Sequence, residues 1–484
     1  MTGMEGYETV VGLEVHAQLQ TKSKLFCSDA ASFGAGPNTQ VSPVTLGHPG
    51  TLPVMNRKAV EYAIRMGLAC NCTITKHNHF ARKNYFYPDL PKGYQVSQHT
   101  TPVCIGGHLT IKPEGRETEK TIRLNRIHLE EDAGKSIHDA DARYTSVDYN
   151  RAGTPLIEIV TEPDISSGEE AFAWLTEVRR LVRYLGICDG NMEAGSLRCD
   201  ANISVRKNGD PKLGTKVEVK NLNSIRHVKR AIEAESIRLT EILESGKEVL
   251  QQTRGFDPVT GQTFAIRDKE DADDYRYFPE PDLVPFILPD ELIEGIRKKL
   301  PVLRKERIRI YTTQYKLPAY DAEVLTEEKN FSDYFQELVS GNDRYKAASN
   351  WMLGPVRTWM NEQNAEISEF PLAPAQLSVL IRLVEEGKIS FSAASGKLFG
   401  IMLREPESNP AELAVRHNLL QQSEQSELEP VIDQVLTRMA DRVAEYKKGK
   451  KGLLALFVGE VMKQTKGKAD PRVTNELLIK KLKS

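Results

Sequence analysis

Apolar and polar positions alternate through much of the first 285 residues. In "YETVVGLEVHAQLQ", residues 7–20, Val10, Val11, Leu13 and Val15 favour a strand. Glu14 and His16 are two residues apart, so a strand turns both to the face opposite the apolar one. The same alternation recurs in "SLRCDANISV", where Arg198, Asp200 and Asn202 interleave with Cys199, Ala201 and Ile203. It recurs again in "KVEVKNL", where Lys216, Glu218 and Lys220 interleave with Val217 and Val219. "HLTIKPEG", "TIRLNRIHLE" and "PLIEIVTE" also read as strands. One helix interrupts them. Ser167 with Glu170 forms a capping-box pattern, Ala171, Trp174, Leu175, Val178, Leu181, Val182 and Leu185 keep helical spacing, and Gly186 ends the run.

The pattern changes at "YFPEPDLVPFILPDELI", where Pro279, Pro281, Pro285 and Pro289 disfavour continuous regular structure and suggest a boundary. Beyond it the period is helical. Leu377, Leu380, Ile381 and Val384 fall at i, i+3, i+4 and i+7 before Gly387, and Asp470 and Pro471 are placed to start a last helix. A polar stretch at 409–430 reads as a hinge. The expected organisation is an α+β domain over 1–290, a helical domain over 291–408 and a small helical tail over 409–484.

A chain of 484 residues exceeds one compact core, in line with several domains. Its balanced composition fits a soluble globular protein, with no apolar run long enough to span a bilayer. The beginning, "MTGMEGYETV", lacks the basic-then-apolar order of a signal peptide, so a cytoplasmic protein is expected. Net charge is only −2, which argues against a uniformly basic nucleic-acid binder. From Asp441 to Ser484, however, twelve Lys/Arg face five Asp/Glu, a local excess of seven positive charges that suits phosphate backbones. The six cysteines show no zinc-finger spacing, and reduced thiols are expected in this setting.

The ionisable strand faces carry the chemistry. Glu130, Glu131 and Asp132 stand together in "HLEEDAGK", and Glu158 stands alone in an apolar run, where it needs a cation or a donor if buried. Carboxylates on one sheet face can hold Mg²⁺, which prefers oxygen ligands and shares them with phosphates. Lysine and arginine on that face would offset the charge of phosphoryl transfer. The competing reading is a solvated sheet laced with salt bridges. Other chemistries fail on their motifs. "EEDAGKS" has Leu129 where a phosphate loop needs glycine, and the chain has no G-x-S-x-G, H-E-x-x-H or helix-opening G-x-G-x-x-G.

"GLEVHAQLQTKSKLFC", "FGAGPNTQ", "LGHPGTLPVMN", "ARKNYFYPDLPKGYQVSQ", "EEDAGKS", "DYNRAGTPLIEIVTEPD", "MEAGSLRCDANISV" and "DDYRYFPEPDL" together resemble the B subunits of glutamine-dependent tRNA amidotransferases, GatB of GatCAB. The likeness runs over nearly the whole chain, and "GEVMKQTKGKADPRVTNELL" looks like the YqeY-type domain that closes this family. The resemblance implies an N-terminal cradle with a mostly antiparallel sheet, related to glutamine synthetase and guanido kinases. It implies ATP- and Mg²⁺-dependent phosphorylation of the side-chain carboxylate of misacylated Glu-tRNA(Gln) or Asp-tRNA(Asn). Ammonia then displaces the phosphate. The ammonia would come from a glutaminase A subunit through a channel, with a small C subunit completing a heterotrimer, and an aminoacyl-tRNA synthetase could join a larger complex.

On this likeness the metal role falls to Glu14, His16, Glu130, Glu131 and Asp200, with Glu218 a further catalytic candidate beside Glu14, His16 and Asp200. Arg198, Lys216 and Lys220 are assigned to phosphate, and the basic tail to the tRNA elbow. Some family members carry a four-cysteine zinc site. Here the corresponding positions are Cys27, Asp29, Ser42 and Thr45, so no zinc is expected. Two other classes remain: a stand-alone carboxylate–amine ligase, which would need no basic tail, and a tRNA-binding scaffold, which would need no ionisable sheet face.

Overall fold

The computed structural model describes residues 6–141, 143–268, 275–421, 425–465 and 469–483. The expected motif residues 273–274, the hinge residues 422–424 and the tail residues 466–468 lie outside them. The chain divides into two compact units, Met1–Leu303 and Arg304–Ser484.

The first unit is built on a ten-stranded sheet. Its long strands are β1 (Tyr7–Gln18), β4 (Lys120–Glu131), β5 (Pro155–Thr161), β6 (Leu197–Lys207), β7 (Val217–Leu222), β8 (Gln252–Asp257) and β9 (Gln262–Asp268). Two short strands, β2 (Ala81–Asn84) and β3 (Tyr94–Ser97), belong to a separate three-stranded sheet. The long strands are ordered β9-β8-β7-β6-β1-β5-β4, so β1 is central although it comes first in the chain. These pairings are antiparallel except β7 with β8.

The alternation read in the sequence is the alternation of the sheet. Val11, Leu13, Val15 and Ala17 are fully buried on one face of β1, and Ala201, Ile203, Val217 and Val219 continue that face. Helices α1 (Arg57–Ala69), α2 (Gly168–Tyr184) and α3 (Ile225–Glu244) supply further side chains to the same core. Trp174 and Leu175 of α2 are fully buried, each such side chain contributing about 1.5–3 kcal/mol. The start of α2 keeps half of the expected capping box. The Ser167 hydroxyl accepts the Glu170 N–H, but the Glu170 carboxylate accepts from Ser166 N–H and the Lys120 ammonium.

The proline-rich segment does not end the first unit. Ile293 and Ile296, on the helix Asp290–Arg297, join the first core, which moves the boundary from 290 to Leu303.

In the second unit, Leu377, Leu380 and Ile381 are buried on the expected helix Pro374–Glu385, and Gly387 ends it with φ +68°. Leu413 and Ala414 pack in the same cluster, so the helical part passes the expected limit at 408. A separate cluster, including Leu428, Ile432, Phe457, Val461 and Leu478, forms the end of the chain. Asp470 caps the last helix, its carboxylate accepting from Arg472 and Val473 N–H groups. Among the described residues no helix is long and apolar enough to cross a membrane.

Candidate functional site

The polar face of the sheet gathers its charges by register. His16 of β1 lies opposite Glu158 of β5 on one side and Arg198 of β6 on the other, and Glu158 lies opposite His128 of β4. One row across four strands therefore reads His128, Glu158, His16, Arg198. His16 Nε2 stands 3.3 Å from Glu158 Oε2, and His128 Nε2 stands 3.6 Å from the same oxygen. One ligand atom each from His16, Glu130 and Glu158 lie within 4.8 Å of one another.

The protonation of this row follows from its partners. Burial disfavours a charged His16, but the Glu158 hydrogen bond and charge, with Asp200, outweigh it and raise the imidazole above its ordinary value. His128 is pulled down to about 4, chiefly by burial. Burial alone would raise Glu158, but the two imidazoles and Lys83 hold it well below the usual carboxylate range. Glu130 goes the other way, raised mainly by burial. Its Oε1 is buried without a hydrogen-bond partner, 3.6 Å from Lys83 Nζ. Lys83 is raised well above its ordinary value; burial opposes this, and Glu130 together with Tyr277, Glu158 and Tyr85 outweighs it.

The next row holds Glu14 opposite Asp200. Asn202 donates to Glu14 Oε1 at 2.8 Å, while its own Oδ1 is buried and unpaired. Burial, then repulsion from Glu158 and Glu218, raises the Glu14 carboxyl. Lys220 bridges Asp200 at 3.0 Å and Glu218 at 2.9 Å. Arg198 donates to Asp132 at 2.8 Å and leaves its Nε–H buried and unpaired. Three orphaned polar atoms thus sit on one face: a carboxylate oxygen, an amide oxygen and a guanidinium N–H. A cation could satisfy the oxygens and an anion the N–H.

Two expected residues fall elsewhere. Glu131 follows Glu130 on β4, and consecutive strand residues point to opposite faces. Its carboxylate accepts from the Lys92 ammonium and from Val96 N–H, in a cavity of about 240 Å³ lined also by Lys24, Phe26 and Tyr94. It is thus separated from the His16–Glu130–Glu158 group. Lys216 is exposed ahead of β7, which begins at Val217. Conversely, the geometry adds Glu158 to the candidate cluster, with Lys83 and His128 beside it, none of which the strand patterns assigned to a site. Glu158 was legible as an isolated carboxylate needing a cation. Lys83 lies on a four-residue strand with no informative period. At the positions compared with the four-cysteine pattern, Asp29 accepts from Ser42 N–H at 2.8 Å and from Thr45 Oγ1 at 2.5 Å.

Two carboxylates and an imidazole fit a divalent cation such as Mg²⁺, with Glu130 Oε1 still open to it. Lys220 and Arg198 flank the cluster and can balance phosphate oxygens.

Residues 9–294 match the family model described as the GatB/GatE catalytic domain, and residues 333–482 match the GatB domain model. The chain is 50% identical over 480 residues to the B subunit of the aspartyl/glutamyl-tRNA(Asn/Gln) amidotransferase from Geotalea daltonii, covering 98% of this chain and 99% of that one. It is 49% identical to the proteins of the same name from Thermodesulfovibrio yellowstonii, over 99% of both chains, and Chlorobium luteolum, over 98% of this chain and 99% of that one. With both halves matched and half of all positions identical, the chain belongs to the GatB family.

Proposed function

We propose that this chain is the B subunit of a tRNA-dependent amidotransferase and activates the side-chain carboxylate of Glu-tRNA(Gln), Asp-tRNA(Asn) or both. The γ-phosphoryl group of ATP passes to a carboxylate oxygen and ADP leaves. The nitrogen of ammonia then bonds to the acyl carbon, the carbon–oxygen bond to phosphate breaks, and the nitrogen gives up a proton. Bound Mg²⁺ would neutralise phosphate charge during the transfer.

The chain's own residues prepare for this. Glu130, Glu158 and His16 would hold the ion, with Glu14 and Asp200 in the adjoining row. Lys220 and Arg198 offer positive charge to transferring oxygens, because their carboxylate partners fix them along the face. His128, held neutral, and Lys83 orient and balance the carboxylates. The ammonia is assigned to a glutaminase A subunit, with a C subunit in the heterotrimer, acting on aminoacyl-tRNA in the cytoplasm. The exposed Lys447 and Lys448 and the other tail lysines suit a tRNA backbone.

The observation that carries this reading is the His16–Glu130–Glu158 cluster with its orphaned carboxylate oxygen beside two flanking cations. The test is ATP hydrolysis by the assembled complex with each misacylated tRNA. Stimulation by one or both is expected. Hydrolysis stimulated equally by free glutamate would point to a stand-alone ligase, and no hydrolysis at all to a scaffold.

A further inference from the structure

The polar face does not end at Lys220. The parallel register pairs Glu218 with Thr253 and Val219 with Arg254, and Lys220 and Gly255 are the next residues along the two strands. The antiparallel register of the next pair sets Gly255 opposite Phe264. Lys220, Gly255 and Phe264 therefore form a row across β7, β8 and β9.

The facing of this row is fixed by its neighbours. Arg254 Nε lies 3.4 Å from Glu235 of α3, and Thr263 Oγ1 donates to that carboxylate at 2.6 Å. Thr253 Oγ1 instead reaches Glu218 Oε2 at 3.3 Å, on the site face. By the two-residue period Gly255 and Phe264 share the face of Glu218 and Lys220. Phe264 is 51% exposed there. Its ring lies over Gly255 so closely that a Cβ on that residue would stand 2.5, 2.9 and 3.0 Å from Cζ, Cε2 and Cε1. Gly255 thus leaves room for the ring to lie down across the strand, with the upper side open.

We propose that Phe264, seated on Gly255, is the stacking platform for the adenine base of the nucleotide whose phosphates meet Lys220. This rests on the phosphoryl-transfer reading above and adds the place of the base. Two strand spacings separate Lys220 from Phe264, about 10 Å, which is the scale of an extended ribose triphosphate. An aromatic face stacks any purine without reading its edge. The platform is assigned to the nucleotide rather than to the terminal adenosine of tRNA because it is continuous with the phosphate-facing lysine.

The test compares affinity of the full-length chain for ATP and for inorganic tripolyphosphate, both with Mg²⁺, by calorimetry. Wild type should bind ATP more tightly than tripolyphosphate. Phe264→Ala should weaken ATP by about 5- to 100-fold and leave tripolyphosphate unchanged. Phe264→Trp should keep the difference, and Gly255→Ala, which pushes the ring aside, should reduce it. Lys220→Ala should weaken both ligands. An aromatic side chain can also serve merely to cover a strand glycine. In that case Phe264→Ala lowers the melting temperature while the ATP-to-tripolyphosphate ratio stays put, which overturns the platform. A loss confined to the KM for aminoacyl-tRNA overturns it too, in favour of the tRNA end. If wild type binds neither ligand, the phosphoryl-transfer reading itself fails and the platform with it.

Discussion

Glu158→Gln tests the electrostatic logic of the site with an isosteric change. Glu158 faces His16 at 3.3 Å and His128 at 3.6 Å, and the substitution removes its charge without removing its volume. For His16, burial is the largest influence and lowers the imidazole; Glu158, through its hydrogen bond and its charge, is the chief influence opposing it, ahead of Asp200. Coulomb's law at 3.3 Å and an effective dielectric constant of about 20 gives about 5 kcal/mol. His16 keeps a fifth of its side chain exposed, so the value for a charged hydrogen bond, about 1.5–3 kcal/mol, is the better guide. That corresponds to a fall of roughly 10- to 100-fold in the proton affinity of His16.

Labelled-imidazole NMR across pH 4–9 reads the change directly. Wild-type His16 should titrate above its ordinary value and the variant below it. Metal binding gives a second reading, because an imidazole must be neutral to ligate. In wild type, Mn²⁺ affinity should rise with pH until His16 has lost its proton, above about 6.5. In Glu158→Gln that rise should move to lower pH, and the plateau should fall at least about tenfold with the lost carboxylate. A variant His16 that still titrates at or above the wild-type position would refute the argument, since Glu158 supplies the two largest influences opposing burial, ahead of Asp200.

The remaining predictions address other parts of the molecule. Asp200→Ala should reduce tRNA-dependent phosphoryl transfer by at least about tenfold while circular dichroism stays native; near-normal turnover would remove Asp200 from the site. Asp132 is held below its ordinary value: burial opposes this, and Arg198 and Arg151 outweigh it. The pairing thus stabilises the fold above the unfolded carboxyl's pKa, about 3.9, and is lost as pH falls through the lower folded value. Asp132→Asn should cost about 1–3 kcal/mol near neutrality and flatten the acid limb of an unfolding titration. A chain cut after Gln421 should retain Mn²⁺ binding but lose tRNA affinity and salt dependence. Equal salt slopes for the full and shortened complexes would exclude the tail from tRNA binding.

The faces of single strands were legible because burial imposes a two-residue period. Leu13 and Val15 must point one way, so Glu14 and His16 point the other. The same reasoning placed Arg198, Asp200, Glu218 and Lys220 on the site face. What the local pattern lacks is register. Nothing near Glu158 says that it will lie between His16 and His128, because that depends on pairings with strands more than a hundred residues away in one case and about thirty in the other. Lys83 and Phe264 escaped for the same reason. What matters about them lies on other strands: Glu130, 3.6 Å from Lys83 across two sheets, in one case and Gly255, opposite Phe264, in the other.

Glu131 is different, because the period itself argues against it. Reading Glu130, Glu131 and Asp132 as one acidic cluster overlooks that neighbours on a strand diverge. The divergence divides the run among three tasks. Glu130 joins His16 and Glu158, Glu131 pairs with Lys92 on the other side of the sheet, and Asp132 fixes Arg198 beyond the end of β4. Loss of the first should therefore appear in metal affinity and loss of the third in the placement of Arg198, the arginine proposed to meet phosphate. Loss of the second should leave both intact and act through the cavity that Lys92 and Lys24 line, because a buried lysine without its carboxylate must shed its proton or draw in water.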